Sequence, residues 1–233
     1  MIQNITKELT IGEIVANDFR AASVFKEVGI DFCCGGNTTI QQACNEKKVD
    51  QTYIETELKK LQDLPINPSQ NFNEWELDFL CDYIVNSHHK YVFKTLPQLV
   101  SYTQKIASVH GGKHPELIMV ANLFEKLNVE LLQHLRKEEE VLFPAIKNAI
   151  ANNSAEAKAA IIAEIAHMSE EHEFAGWSMD KINEITQGYT LPADACNTYE
   201  VTFKLLRQFE DDLHVHVHLE NNILYPKALS LTH

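Results

Sequence analysis

His134-Leu135-Arg136-Lys137-Glu138-Glu139-Glu140-Val141-Leu142-Phe143-Pro144 has a second copy of its pattern in His216-Val217-His218-Leu219-Glu220-Asn221-Asn222-Ile223-Leu224-Tyr225-Pro226. Both fit H-x-x-x-E-x-x-x-L-[FY]-P. On a helix, a His and a Glu four apart share one face, with Cβ atoms roughly 5–6 Å apart. Each copy therefore points an imidazole and a carboxylate at one spot. Two copies facing each other predict a site for two metal ions with shared carboxylates. A single HxxxE pair arises often by chance. The matched spacing and the matched aliphatic-aromatic-proline ending give the repeat its weight.

The chain has 233 residues, of which 45% are hydrophobic and 23% charged. That is a globular composition with room for one large or two small domains. The net charge of -13 argues against nucleic acid as a partner, because non-specific affinity for it comes from cationic side chains. No apolar run approaches the ~18 residues of a spanning helix. Residues 1–8 carry no apolar signal core, so no membrane association is expected. Five cysteines, an odd number without a secretory signal, point to a reducing cytoplasm. Of the eleven histidines, all but the terminal His233 lie between His88 and His218, which favours a His-rich site.

Residues 1–64 read as a small helical domain. Thr10 and Glu13 form a capping-box pattern. Ile14, Val15, Phe19, Ala22, Val24, Phe25 and Val28 continue it as one apolar face at helical spacing, and Gly29 stands at the C-terminal stop. A hinge, Ile30-Asp31-Phe32-Cys33-Cys34-Gly35-Gly36-Asn37, follows. Thr38 or Thr39 then caps a second helix and Asp50 a third. Residues 65–72, with Pro65 and Pro68, read as a linker. Residues 73–233 read as four long helices over about 74–109, 115–149, 155–186 and 195–229, without any strand pattern. Short links between long helices predict an all-α, up-down four-helix bundle.

In such a bundle each helix offers inward ligands. The second offers His134 and Glu138, and the fourth His216 and Glu220. The first offers His88 or His89. Neighbours on a helix point about 100° apart, so one of the two is expected to face the core. His89 is chosen because it lies four before Phe93 and seven before Leu96. The third offers His172. His214 and His218 cannot both accompany His216 inward and are assigned to the surface or to a supporting role. His167, with Glu164 three before it, makes the single E-x-x-H pair of the chain and reads as an ordinary helix histidine. His110, beside Gly111-Gly112, either caps its helix or folds back to a metal. Imidazoles with carboxylates suit iron or manganese, whereas structural zinc usually recruits thiolates. The expected cofactor is a redox-active pair of such ions, with an oxo, hydroxo or exogenous diatomic ligand between or on them and open positions that point to O2, NO or peroxide chemistry.

The bundle resembles the hemerythrin-like family, whose helices carry His, His-x-x-x-Glu, His and His-x-x-x-Glu/Asp. Asp31-Phe32-Cys33-Cys34-Gly35-Gly36 resembles the small domain that opens the ScdA/YtfE-like repair-of-iron-centres proteins. The resemblance covers essentially the whole chain. It implies a cytoplasmic, non-haem di-iron protein that repairs iron-sulfur clusters damaged by nitric oxide or peroxide. By the family pattern the metal ligands are His89, His134, Glu138, His172, His216 and Glu220. Glu138 and Glu220 act as bridges, and His110 matches a further family histidine. Glu171 is expected on an access path.

Cys33 and Cys34 are a candidate thiol site that contacts a cluster, takes iron, exchanges disulfides or links two chains as a homodimer. Cys44, Cys81 and Cys196 fall in helical patterns and are expected to be buried and inert. Three functional classes follow: a repair factor that donates iron to damaged iron-sulfur proteins, an enzyme that reduces NO, and a carrier or sensor of O2 or NO. The Cys-Cys hinge speaks against the last, since a simple carrier needs no such appendage.

Overall fold

The computed structural model describes residues 9–65 and 68–232, apart from the side chains of residues 62 and 68. The stretch read for a signal core (1–8), the middle of the linker (66 and 67) and His233 lie outside the described residues. The helices in chain order are α1 (Ile11–Asn17), α2 (Ala21–Glu27), α3 (Ile40–Lys47), α4 (Gln51–Gln62), α5 (Leu77–Ile84), α6 (Lys90–His110), α7 (Glu116–Lys137), α8 (Phe143–Asn152), α9 (Ala155–Ile185), α10 (Asn197–Leu219) and α11 (Tyr225–Ser230). A single π-helical turn joins α5 to α6 (Val85–His89), α7 to α8 (Glu138–Leu142) and α10 to α11 (Glu220–Leu224). The described residues form no strand; one antiparallel bridge pairs Thr10 with Thr39. By its contacts the chain forms two compact units, Met1–Cys81 with His214–His233, and Asp82–Leu213.

In the first unit the predicted caps form. The Thr10 hydroxyl accepts from Glu13 N at 3.2 Å while the Glu13 carboxylate accepts from Thr10 N at 2.9 Å. Thr39 and Gln42 make the same reciprocal pair, and the Asp50 carboxylate accepts from Thr52 N. The helix expected to run from Thr10 to Gly29 is instead two. Asp18 accepts from the backbone N–H of Arg20 and from its guanidinium, an Asx-type turn that competes with the helical ladder. Gly29 ends α2 with φ of 71°, the left-handed conformation that a helix stop requires. Ile11, Ile14, Phe25, Ile40, Ile54 and Leu58 form the core of this unit. Residues of the C-terminal segment join it: Lys227 Nζ donates to the carbonyls of Asn73 (2.5 Å) and Trp75 (3.0 Å).

In the second unit α6 packs on α7, and α7 and α8 pack on α9. The early part of α10 closes the set, with the Phe209 ring on Phe124 (centroids 5.5 Å) and Tyr91 (6.4 Å). Leu96, Leu99, Leu117, Phe124, Leu127 and Ile161 are sealed from solvent. Ser154 caps α9 through Ala157 N. α6 continues through Pro97. The helix limits agree with the expected ranges within a few residues. The π-turns were not anticipated from periodicity.

Phe124 is fully buried against Phe209. Phe124→Ala should therefore cost about 3–5 kcal/mol of stability through lost transfer energy and an unfilled cavity. Urea unfolding followed by far-ultraviolet circular dichroism measures it.

Candidate metal centre

Each π-turn carries a residue of the predicted site. Glu138 opens the second turn and Glu220 the third, while His89 closes the first. The hydrogen bonds that define them run from Phe143 N to Glu138 O, from Tyr225 N to Glu220 O, and from Lys90 N to Val85 O. The sequence signal for two of the turns is the proline after the aromatic residue. Pro144 and Pro226 lack an N–H, and their rings crowd the preceding turn. A widened turn relieves that crowding. The first turn has no such proline, and we find no sequence signal for it. Single π-turns concentrate at functional sites because they re-aim side chains without ending a helix.

The re-aiming corrects one expectation directly. Both His88 and His89 are buried, although consecutive residues on an α-helix would diverge. His88 turns to Asp212, with Nδ1 3.0 Å from Oδ1, and packs edge-on against Tyr83. His89 faces Glu138.

Within the second unit, His89, His134 and His172 surround Glu138. Glu138 is completely buried. Its Oε2 lies 3.4 Å from His89 Nε2 and 3.3 Å from His134 Nε2. His172 Nε2 lies 3.0 Å from His134 Nε2. One carboxylate oxygen thus sits between imidazole nitrogens from α7 and from the turn before α6. The opposite nitrogens are held from behind. His89 Nδ1 is 2.9 Å from Glu139 Oε1, and His134 Nδ1 is 2.8 Å from Glu171 Oε2. Lys137 also pairs with Glu171. The His134 hydrogen bond first, and Lys137 next, lower the Glu171 carboxyl to about 2. Glu139 was not singled out in the sequence; its position directly after a ligand candidate was the available signal.

This donor set fits a metal. Ligating histidines characteristically turn one nitrogen inward and give the other to a carboxylate, which fixes tautomer and ring orientation. A buried ionised carboxylate costs several kcal/mol unless it is paired or coordinates a cation. Three imidazole nitrogens turned to one buried carboxylate, without a thiolate among them, suit a first-row transition metal such as iron.

Within the first unit the second copy forms its own pair. His216 Nε2 lies 2.9 Å from Glu220 Oε1, and both side chains are buried. His218, which the sequence reading sent to the surface or to a supporting role, is also sealed. Its ring lies between Phe19 and Phe32 (centroids 5.9 and 5.8 Å), and its Nδ1 meets Asn222 Nδ2 at 3.0 Å. Burial lowers its pKa to about 4, which keeps it neutral. His214, half-buried, touches Phe32. His167 is exposed, as expected of an ordinary helix histidine.

The Cys33-Cys34 hinge is organised by Asp31. Its Oδ1 accepts from Cys33 N (2.8 Å) and from the Cys33 thiol (3.0 Å), and its Oδ2 accepts from Gly35 N (2.8 Å). One ligand atom from each of Asp31, Cys33 and Cys34 falls within 4.8 Å of the others. The hydrogen bond with Cys34, burial and the Asp31 charge together push the Cys33 thiol well above its usual range. Cys33 is therefore held as a thiol, not a thiolate. Among the described residues, which include all five cysteines, none is in a disulfide.

His110 is placed elsewhere. It ends α6, which begins directly after His89; about twenty residues at 1.5 Å per residue put the two roughly 30 Å apart. Helix rise alone removes it from the group around Glu138. Its Nε2 instead lies 3.2 Å from Cys196 Sγ, and its ring packs on Tyr199. Cys196, expected to be buried, is exposed, whereas Cys44 and Cys81 are buried as expected. Cys196 precedes α10 and accepts from Glu200 N through its carbonyl.

Comparison with known proteins places these features in one family. The hemerythrin HHE cation-binding domain matches residues 82–228. The ScdA N-terminal domain, a domain of unknown function (DUF542), matches residues 7–62. The iron-sulfur cluster repair protein ScdA of Staphylococcus haemolyticus is 34% identical over 225 residues, covering 96% of this chain and 99% of the relative. The iron-sulfur cluster repair protein YtfE of Pectobacterium carotovorum is 34% identical over 223 residues, covering 96% and 97%. YtfE of Yersinia pseudotuberculosis is 34% identical over 210 residues, covering 90% and 91%. The fold and donor set define a hemerythrin-domain protein. The chain belongs to the ScdA/YtfE family.

The Tyr199 backbone N–H and His110 lower the Cys196 thiol to about 7, as expected of a sulfur at a helix N-terminus beside an imidazole. Alkylation with iodoacetamide, mapped by peptide mass spectrometry, should show Cys196 reacting with a midpoint near pH 7 and Cys33 protected there. His110→Gln should move the Cys196 midpoint upward. An unshifted midpoint in that variant would contradict the pairing.

Proposed function

We propose that His89, His134, Glu138 and His172, together with His216 and Glu220, hold two iron ions bridged by Glu138 and Glu220, and that this iron serves the repair of iron-sulfur clusters damaged by nitrosative or oxidative stress. The observation that carries the reading is the fully buried Glu138 carboxylate faced by His89 and His134 Nε2, with His172 Nε2 alongside and carboxylates behind the first two rings. The repeat supplies the second His-Glu pair, and one family domain spans all six residues. Relatives that align along nearly the whole chain carry the name iron-sulfur cluster repair protein. Iron bound there supplies a redox-active, exchangeable store that also meets NO, O2 or peroxide.

The protein's own groups shape that store. Glu139 and Glu171 hold His89 and His134 in the tautomer that presents Nε2. Glu171 has 24% of its side chain exposed, so it links a buried ligand to solvent and gives iron or protons a polar way out. The Cys33-Cys34 hinge, backed by Asp31, presents sulfur and oxygen donors to iron or to a client protein. Reduced thiols of this kind belong in the cytoplasm. No helix among the described residues is long and apolar enough to cross a membrane.

Three variants test the reading. Glu138→Leu should lower bound iron below two per chain by elemental analysis; two irons retained would end the bridging assignment. Glu139→Ala should weaken iron affinity about 10–100-fold by releasing the His89 ring. Cys33→Ala with Cys34→Ala should keep the iron and lose reactivation of a damaged iron-sulfur enzyme. Full reactivation by that variant would remove the hinge from the mechanism.

A further inference from the structure

The Cys-Cys-Gly-Gly hinge is fastened to the turn that carries Glu220, and one side chain does the fastening. Asn222 lies in the third π-turn, two residues after Glu220. Its Nδ2 donates to the carbonyls of Phe32 (3.1 Å) and Cys33 (3.3 Å), and meets His218 Nδ1 at 3.0 Å. The hinge backbone is thus held at the residue that bears the first thiol. All of these groups belong to the first compact unit.

Two glycines far apart in sequence make room for this amide. A Cβ at Gly12 would lie 2.1 Å from Asn222 Oδ1, and a Cβ at Gly36 would lie 2.6 Å from the same atom. Gly12 is in the first turn of α1 and Gly36 ends the Cys-Cys-Gly-Gly motif. They are tied together by Gly12 N donating to Gly36 O at 2.7 Å. Neither glycine has a positive φ. The requirement is close approach, not backbone conformation. The second glycine of the motif is therefore explained by a residue on the metal-ligand helix, not by the turn itself.

We propose that Asn222 is a positioning residue that couples the iron pair to the Cys33-Cys34 hinge: when Glu220 is held by iron, its turn is fixed and Asn222 fixes the hinge carbonyls with it. The inference rests on the reading of Glu220 as an iron ligand. Asn222 shares its π-turn with Glu220, two residues away, so a displacement of the Glu220 backbone is passed directly to Asn222. Coupling of this kind is reciprocal by thermodynamic necessity. If iron steadies the hinge, a client that pulls the hinge open weakens the hold on iron by the same factor. That would time release to contact with the damaged protein.

The test measures alkylation of Cys33 and Cys34 by peptide mass spectrometry, on the full chain, metal-free and loaded with ferrous iron. Iron content is determined on the same samples. In the unaltered protein iron should slow hinge alkylation by about tenfold, within the usual range of allosteric coupling. Asn222→Ala should keep two irons per chain and its helical circular dichroism, and its hinge should react at the faster rate in both states. Gly12→Ala tests the same contact from the other side, because its methyl displaces the amide while Asn222 remains. It should also abolish the difference. Equal rates in the loaded and metal-free unaltered protein overturn the coupling, as does a tenfold difference that persists in Asn222→Ala or in Gly12→Ala. A chain that takes up no iron overturns the site reading and the inference with it, whereas two irons with no coupling overturn the inference alone.

Discussion

A carboxylate with no exposed surface, Glu138, lies in a bundle whose surrounding core is leucine, isoleucine and phenylalanine. Burying a carboxylate is costly unless it is paired or holds a cation, and the second unit sets histidines and further carboxylates around this one. The turn that begins at Glu138 leaves the α-helical register. Three histidines meet there, and a second rank of carboxylates, Glu139 and Glu171, stands behind two of them. Such an arrangement makes little sense as a device for stability alone, since a buried charge network rarely outperforms apolar packing. It makes sense as a cation site built into the core, where the bundle supplies rigidity and the ion offsets the buried charge.

The hemerythrin-type bundle was legible because its signals are local and periodic. The repeat H-x-x-x-E-x-x-x-L-[FY]-P names a candidate ligand pair and, through Pro144 and Pro226, marks the place where the helix widens. Thr10, Thr39 and Asp50 announce helix starts in the chemistry of their own side chains. What was not legible depends on non-local contact. His88 is buried by a π-turn that no nearby proline signals. His218 is buried by Phe19 and Phe32, which stand nearly two hundred positions earlier. His110 was attached to the metal by family pattern, when the length of α6 already set it roughly 30 Å from His89. The break between α1 and α2 turns on Asp18, whose carboxylate prefers the backbone of Arg20 to the helical ladder.

The two kinds of thiol in the chain are set apart by their surroundings. Cys33 is buried beside Asp31 and Cys34, and these hold its proton in place. Cys196 is exposed at the start of α10 beside His110, where a helix N-terminus and an imidazole favour the anion. The thiolate, not the thiol, is the species that reacts with electrophiles and oxidants. A thiol becomes a nucleophile or a metal ligand only on losing its proton, so Cys33 is kept unreactive by its surroundings and Cys196 is not. The Asn222 amide holds the hinge at the carbonyls of Phe32 and Cys33, and the glycines at 12 and 36 leave the space it occupies.

The central claim is that the histidines and glutamates hold a pair of irons and not a single ion of another kind. Elemental analysis with Mössbauer spectroscopy of the purified, iron-57-loaded protein measures this directly. The account predicts two irons per chain, spin-coupled in the oxidised state as carboxylate-bridged neighbours are. One iron per chain, two magnetically independent irons, or preferential retention of zinc would contradict it.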